Sequence, residues 1–335
     1  MSSQGDWILP GLRSHPLGNR ALVSSINLAY SSLSNCRRLE HPLYAFWGKA
    51  LNYLVEDLEP SVLIAPQYTV YIASKANPNV SLGTVADNDA EEKLPDFVIM
   101  GVMLSNRSTR EILRLPEFPT FSNWQIAQLA ISKPLCAFEA KRAPGRHFAS
   151  MLAFQHSLHQ LMDAAIVGAE AQARIIFRES SYNAQSLILI AAAGEWWSFR
   201  FVTEADVKKE EEEDDDDDEV PSNPVNNPVI PPVPPQGSTE DKTKGLSRFT
   251  TVVPTFMECF KEDVADARLQ GWSKFILFGT RESNQRLYLI HEELKSMAAD
   301  LEIEALTQLQ QWIDDGYESD KSVPDAVEED ELSAW

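Results

Sequence analysis

Cysteine is scarce. The chain of 335 residues has three, Cys36, Cys136 and Cys259. They lie far apart without C-x-x-C spacing, which argues against a thiolate metal site and for a reducing compartment. No apolar run reaches the length of about eighteen residues that a membrane span needs, so no membrane association is expected. The opening MSSQGDWILPGLRSHP has no apolar stretch behind a basic start and does not read as a secretory signal. The expected location is intracellular, nucleus or cytoplasm, and no basic localisation run chooses between them. A Gly-rich phosphate loop and a G-x-S-x-G elbow are both missing. Basic charge is short as well: 29 Lys and Arg face 50 Asp and Glu, for a net charge of −21. Ten of the acids form one unbroken run, 210–219, and the remainder is still acidic. That balance is a poor footprint for gripping nucleic acid along a broad face, and any phosphate binding must rest on a local basic patch or on metal ions.

What is present is enough apolar residue, 44%, for a substantial core. The clearest boundary is 204–245, where the acidic run passes into VPSNPVNNPVIPPVPPQGSTEDKTKG. Like charges repel and prolines remove donors, so this stretch is expected to be a disordered linker. It reads as a solvated spacer or as a docking segment for a basic protein partner. It separates an N-terminal helical extension (1–40) and a core (41–203) from a C-terminal strand and helices (246–316) that pack on the core. An acidic tail (317–335) follows.

Within the core, apolar residues at helical spacing predict a helix over 43–59, preceded by another over 19–35. The β-branched and aromatic run 61–74 predicts a strand or hairpin, 94–104 and 135–141 predict strands, and 147–179 predicts helix in two pieces. A hairpin is expected from 186–194 and 195–203, then a short strand at 275–279 and a helix after it. The fold class that follows is α/β, a mixed central sheet with helices on both faces, interrupted by the acidic, Pro-rich insertion. The chain carries no internal repeat.

The stretch LCAFEAKRAP, 135–144, carries the chemistry. In a strand, side chains alternate, so Leu135, Ala137, Glu139 and Lys141 are expected on one face and Cys136, Phe138 and Ala140 on the other. A carboxylate and an ammonium at a strand end can be a mutual salt bridge or part of a site. Asp96 follows a proline at the start of another apolar strand, LPDF. In the helix before the closing strand, Ala165, Ala169, Gln172 and Ile176 form one stripe, with Gln172 its polar member. Two further features carry bland readings: His156 and His159 as ordinary helix histidines, and Trp196–Trp197 as a sheet anchor rather than a base-stacking pair.

The order LPDF, CAFEAK, AQARIIF, LILIAAAGEWW, and a late GWSKFILFGT, resembles the PD-(D/E)XK nuclease superfamily, and within it a fungal branch of nuclease-like proteins. The resemblance covers most of 40–300. It implies a restriction-endonuclease-like α-β-β-β-α-β core and a metal-dependent phosphodiesterase acting on DNA or RNA. In its terms Asp96 and Glu139 bind Mg²⁺ or Mn²⁺, Lys141 positions the attacking water and Gln172 supports them. Glu56, at the end of the first core helix, is expected to lend a further carboxylate to the metal. Arg142, Arg146 and His147, just past the strand, are expected to contact flanking phosphates. The separation of Asp96 from Glu139 requires an excursion between their strands. The alternative is a catalytically inactive binding module that keeps the fold and uses the acidic linker to dock a partner.

Overall fold

A computed structural model describes residues 7–72, 92–114, 118–145, 150–209 and 271–314; of these, the side chains of 308, 309 and 311–314 are not described. Residues 210–245 of the acidic linker, the tail, and Arg146 and His147 lie outside the described residues, whereas 204–209, expected to open the disordered linker, are helical with Val207 buried. Among the described residues no helix is long and apolar enough to cross a membrane.

The helices are α1 (Pro10–Ser14), α2 (Gly18–Tyr30), α3 (Tyr44–Val55), α4 (Met151–Arg178) and α5 (Arg281–Asp314). The strands are β1 (Val62–Pro66), β2 (Val70–Tyr71), β3 (Glu92–Lys93), β4 (Phe97–Asn106), β5 (Ala127–Lys141), β6 (Ser186–Ala193), β7 (Trp196–Thr203) and β8 (Ile276–Leu277). Six of them form one mixed sheet in the order β1-β4-β5-β6-β7-β8, and β2 pairs with β3 in a separate ribbon. Only β5 and β6 run parallel; the other neighbours are antiparallel. The parallel pair needs a long return connection, which α4 supplies.

Alternation along the strands sorts the core into two layers. Cys136, Phe138 and Ala140 of β5, with Ile188, Ile190 and Ala192 of β6, pack beneath α3 and α5. Ala137, with Leu187, Leu189 and Ala191, packs beneath α4. The N-terminal helices join the first layer through Leu22 and Ala29, and α5 through Leu287, Ile290 and Leu294. The fold is therefore mixed α/β with a central sheet flanked by helices, and the segments on either side of the acidic linker share one core.

Several local expectations are corrected. The run 61–74 divides between two sheets: β1 pairs with β4, whereas β2 pairs with β3. The helical region 147–179 is one helix of 28 residues, α4, whose first turn is capped by Ser150 Oγ accepting from the Ala153 N–H. The preceding helix is shorter than expected, Gly18–Tyr30. The strand expected at 135–141 begins at Ala127, because the stretch before it completes a long hairpin with β4. That hairpin is the excursion between Asp96 and Glu139. Its ladder shifts register where Met100 faces Pro134 and Ile99 faces Cys136, leaving Leu135 unpaired in a bulge. Pro134, with no N–H to give, stands beside the bulge, a position proline tolerates. The extra residue reverses the alternation, so Leu135 joins the α3 layer with Cys136 instead of sharing a face with Ala137 and Glu139.

Candidate functional site

The site lies at one end of the sheet, where β4 begins and β5 finishes. Phe97 pairs in register with Phe138, so one step further Asp96 comes opposite Glu139. The Asp96 backbone is held from the other side, its carbonyl accepting from the Gln67 N–H at 2.9 Å. The Asp96 carboxylate reaches across to β5, where the Ala140 N–H donates to Oδ2 at 2.6 Å. Its other oxygen, Oδ1, accepts from the Tyr44 hydroxyl.

Glu139 is held from the other layer, under α4. Its Oε2 accepts from the Gln172 side-chain nitrogen at 2.7 Å, and its Oε1 accepts from the Lys141 ammonium. Close approach of α4 is possible because residue 168 is glycine: a Cβ there would stand 3.0 Å from Glu139 Cγ and 3.2 Å from Oε1. The two carboxylates are thus gripped from opposite layers, Asp96 by α3 and Glu139 by α4. Asp96 is 8% and Glu139 9% exposed, whereas the Lys141 side chain keeps 27%, so the cluster opens to solvent on the lysine side.

Burial pushes Asp96 up to about 6 from its ordinary 3.8, against the lowering effect of the bonds from Tyr44 and Ala140. The charges of Glu139 and Glu40 add to the rise. Tyr44 is pushed well up, first by burial and then by its bond to Asp96, so its hydroxyl is a fixed donor. For Lys141, burial works downward, but its hydrogen bond to Glu139 and the charges of Glu139, Glu40 and Asp96 outweigh it, and the net shift is upward. Lys141 is an ammonium at neutral pH.

One polar atom in the cluster has no partner. The Gln172 side chain is 3% exposed, and with its nitrogen committed to Glu139 its Oε1 is buried without a hydrogen bond. An orphaned buried carbonyl costs about 1–3 kcal/mol.

Of the residues singled out from the sequence, Asp96, Glu139, Lys141 and Gln172 come together. Glu56 does not join them. It accepts from Ser14 Oγ and lies 3.1 Å from His15 Nε2, both from the α1 region. The reason is length: Tyr44 at the start of α3 touches Asp96, and Glu56 follows twelve residues later, about 18 Å along the helix. Arg142 is exposed just past β5. The tryptophans are buried, Trp197 donating to Ser283 Oγ at 3.3 Å, which removes base stacking from consideration. His156 pairs with Gln160 at 3.1 Å and the His159 ring packs on Phe275. Sequence reasoning missed Tyr44, Glu40 and Gly168. Tyr44 and Glu40 flank the His41–Pro42 helix start, and nothing in their local pattern connects them to a strand 52 residues later.

Among the described residues no group of three or more His, Cys, Asp or Glu side chains is placed to hold a metal ion. Set against family models, curated proteins and solved structures, the chain matches none.

Proposed function

We propose that the protein is a metal-dependent phosphodiesterase acting on DNA or RNA, with Asp96, Glu139 and Lys141 as its centre. The observation that carries this reading is the meeting of the two carboxylates and the lysine at one sheet end, with Gln172 bonded to Glu139. The element order α3-β1-β4-β5-α4-β6 agrees with a restriction-endonuclease-like core, the β2–β3 ribbon being an addition to it.

The donor set suits Mg²⁺ or Mn²⁺. Both prefer hard oxygens, and each carboxylate oxygen here accepts one protein hydrogen bond and can accept a second partner. The orphaned Gln172 carbonyl beside Glu139 is a further oxygen in want of a donor or a cation. Asp96 and Glu139 would hold the ion. Bound there, it would neutralise charge on a phosphodiester and lower the pKa of a coordinated water. The rest is the work of the chain. Lys141, held as an ammonium, orients the water and stabilises developing negative charge rather than accepting a proton. Gln172 keeps Glu139 in place, and exposed Arg142 stands where a flanking phosphate can be met.

One observation favours a non-catalytic binding module with the same fold: Lys141 already neutralises Glu139 within the protein. Calorimetric titration with Mg²⁺ and Mn²⁺, wild type against Glu139→Ala, followed by cleavage of a mixed DNA and RNA panel, separates the two. Saturable binding and cleavage that vanish together in the variant support the phosphodiesterase. A folded wild-type protein that takes up neither ion sinks it and leaves the binding module.

A further inference from the structure

Tyr44 reaches the site from the α3 layer and touches a proposed cation ligand. Its ring is fixed by an edge-on contact with Phe97, centroids 5.6 Å apart and planes at 73°. Its hydroxyl donates to Asp96 Oδ1 while the Ala140 N–H donates to Oδ2. A carboxylate held at one oxygen can still swing about its Cβ–Cγ bond. Held at both oxygens, from a helix on one side and a strand on the other, it has one orientation. Each oxygen retains acceptor capacity. The arrangement therefore fixes the plane of the carboxylate while leaving both oxygens able to bind a cation.

We propose that Tyr44 is the positioning residue of Asp96: its hydroxyl orients the carboxylate toward the cation. This rests on the phosphodiesterase reading only in so far as that reading makes Asp96 a cation ligand. The principle is that outer hydrogen bonds to a ligating group set its orientation, and losing one weakens metal affinity by about 10- to 100-fold. Here the lower end is expected, because the Ala140 N–H remains.

The test is Mn²⁺ titration of the full chain by calorimetry, comparing wild type with Tyr44→Phe, which keeps the ring packing on Phe97 and removes only the hydroxyl. Phe46→Leu, in the core of α3 away from Asp96, serves as the control for stability alone. The expected result for Tyr44→Phe is an affinity about tenfold weaker, with a thermal midpoint within a few degrees of wild type. Phe46→Leu should melt earlier and bind Mn²⁺ as wild type does. A folded Tyr44→Phe protein with wild-type affinity overturns the inference and leaves the phosphodiesterase reading standing. A wild-type protein that binds no Mn²⁺ overturns both. If Tyr44→Phe fails to fold, 3-fluorotyrosine at position 44 replaces it: a stronger donor of nearly the same size should tighten Mn²⁺ binding, and unchanged affinity refutes the proposal.

Discussion

Cation binding at Asp96 should release protons, and the amount should depend steeply on pH. Asp96 in the free protein ionises near 6. At pH 6 about half of the molecules carry a proton there, so binding a cation should expel about 0.5 proton; at pH 7.5 the figure falls to about 0.03. Affinity follows the same curve, weakening by about tenfold, or 1.4 kcal/mol, between pH 7.5 and pH 5. Titrations at each pH in two buffers of different ionisation enthalpy give the proton count directly. Asp96→Asn should abolish the pH-dependent part. Cation binding at pH 6 with no proton release, or with equal release from Asp96→Asn, would refute the assignment. The same shift has a consequence for the metal-free protein. Because Asp96 rises from 3.8 unfolded to about 6 folded, the folded state keeps a proton that the unfolded chain has lost. Its contribution favours folding at low pH, is lost progressively as pH rises from about 4 to about 6, and is gone above that. The full span corresponds to about 3 kcal/mol as an upper bound.

Two further outcomes follow from the packing. Gln172→Leu removes the side-chain N–H hydrogen bond to Glu139 together with the orphaned carbonyl, and these two effects oppose each other. Stability in urea should change by less than about 1 kcal/mol while Mn²⁺ affinity drops; a loss of several kcal/mol would mean the carbonyl is satisfied after all. Lys133 of β5 and Glu304 of α5 form an ion pair at 2.7 Å, the lysine side chain only 10% exposed. Glu304→Ala should cost about 3 kcal/mol because it strands the ammonium, and adding Lys133→Met should recover most of it. A double variant less stable than the single one would contradict that account.

How the site assembles shows where local reading stops. Glu139 and Lys141 lie two apart at the end of an apolar run, and period-two alternation is enough to put them on one face. Gln172 is likewise legible as the polar member of a helical stripe, Ala165, Ala169 and Ile176 being buried beside it. The expected face of Leu135, by contrast, fails four residues before Glu139. Alternation holds only while each residue has a partner, and the bulge depends on how β4 lies against β5, not on the β5 sequence. Glu56 and Tyr44 fail in complementary ways. An acid near the end of α3 looks suitable for a metal from its type alone, and a tyrosine at the start looks like core. The helix axis decides otherwise, carrying Tyr44 to Asp96 and Glu56 to Ser14 and His15.

The sequence by itself determined the type of most elements, the mixed α/β class and the nearness of Glu139 to Lys141, since each depends on periodicity over a few residues. The tertiary structure alone decided that Asp96 stands opposite Glu139, that Tyr44 and Gln172 grip the two carboxylates from opposite layers, and that Glu40 adds its charge to the cluster. The physical reason is that burial of an apolar face is encoded locally. Which distant side chains meet depends instead on strand register, bulges and helix direction, which are set only when the layers pack together.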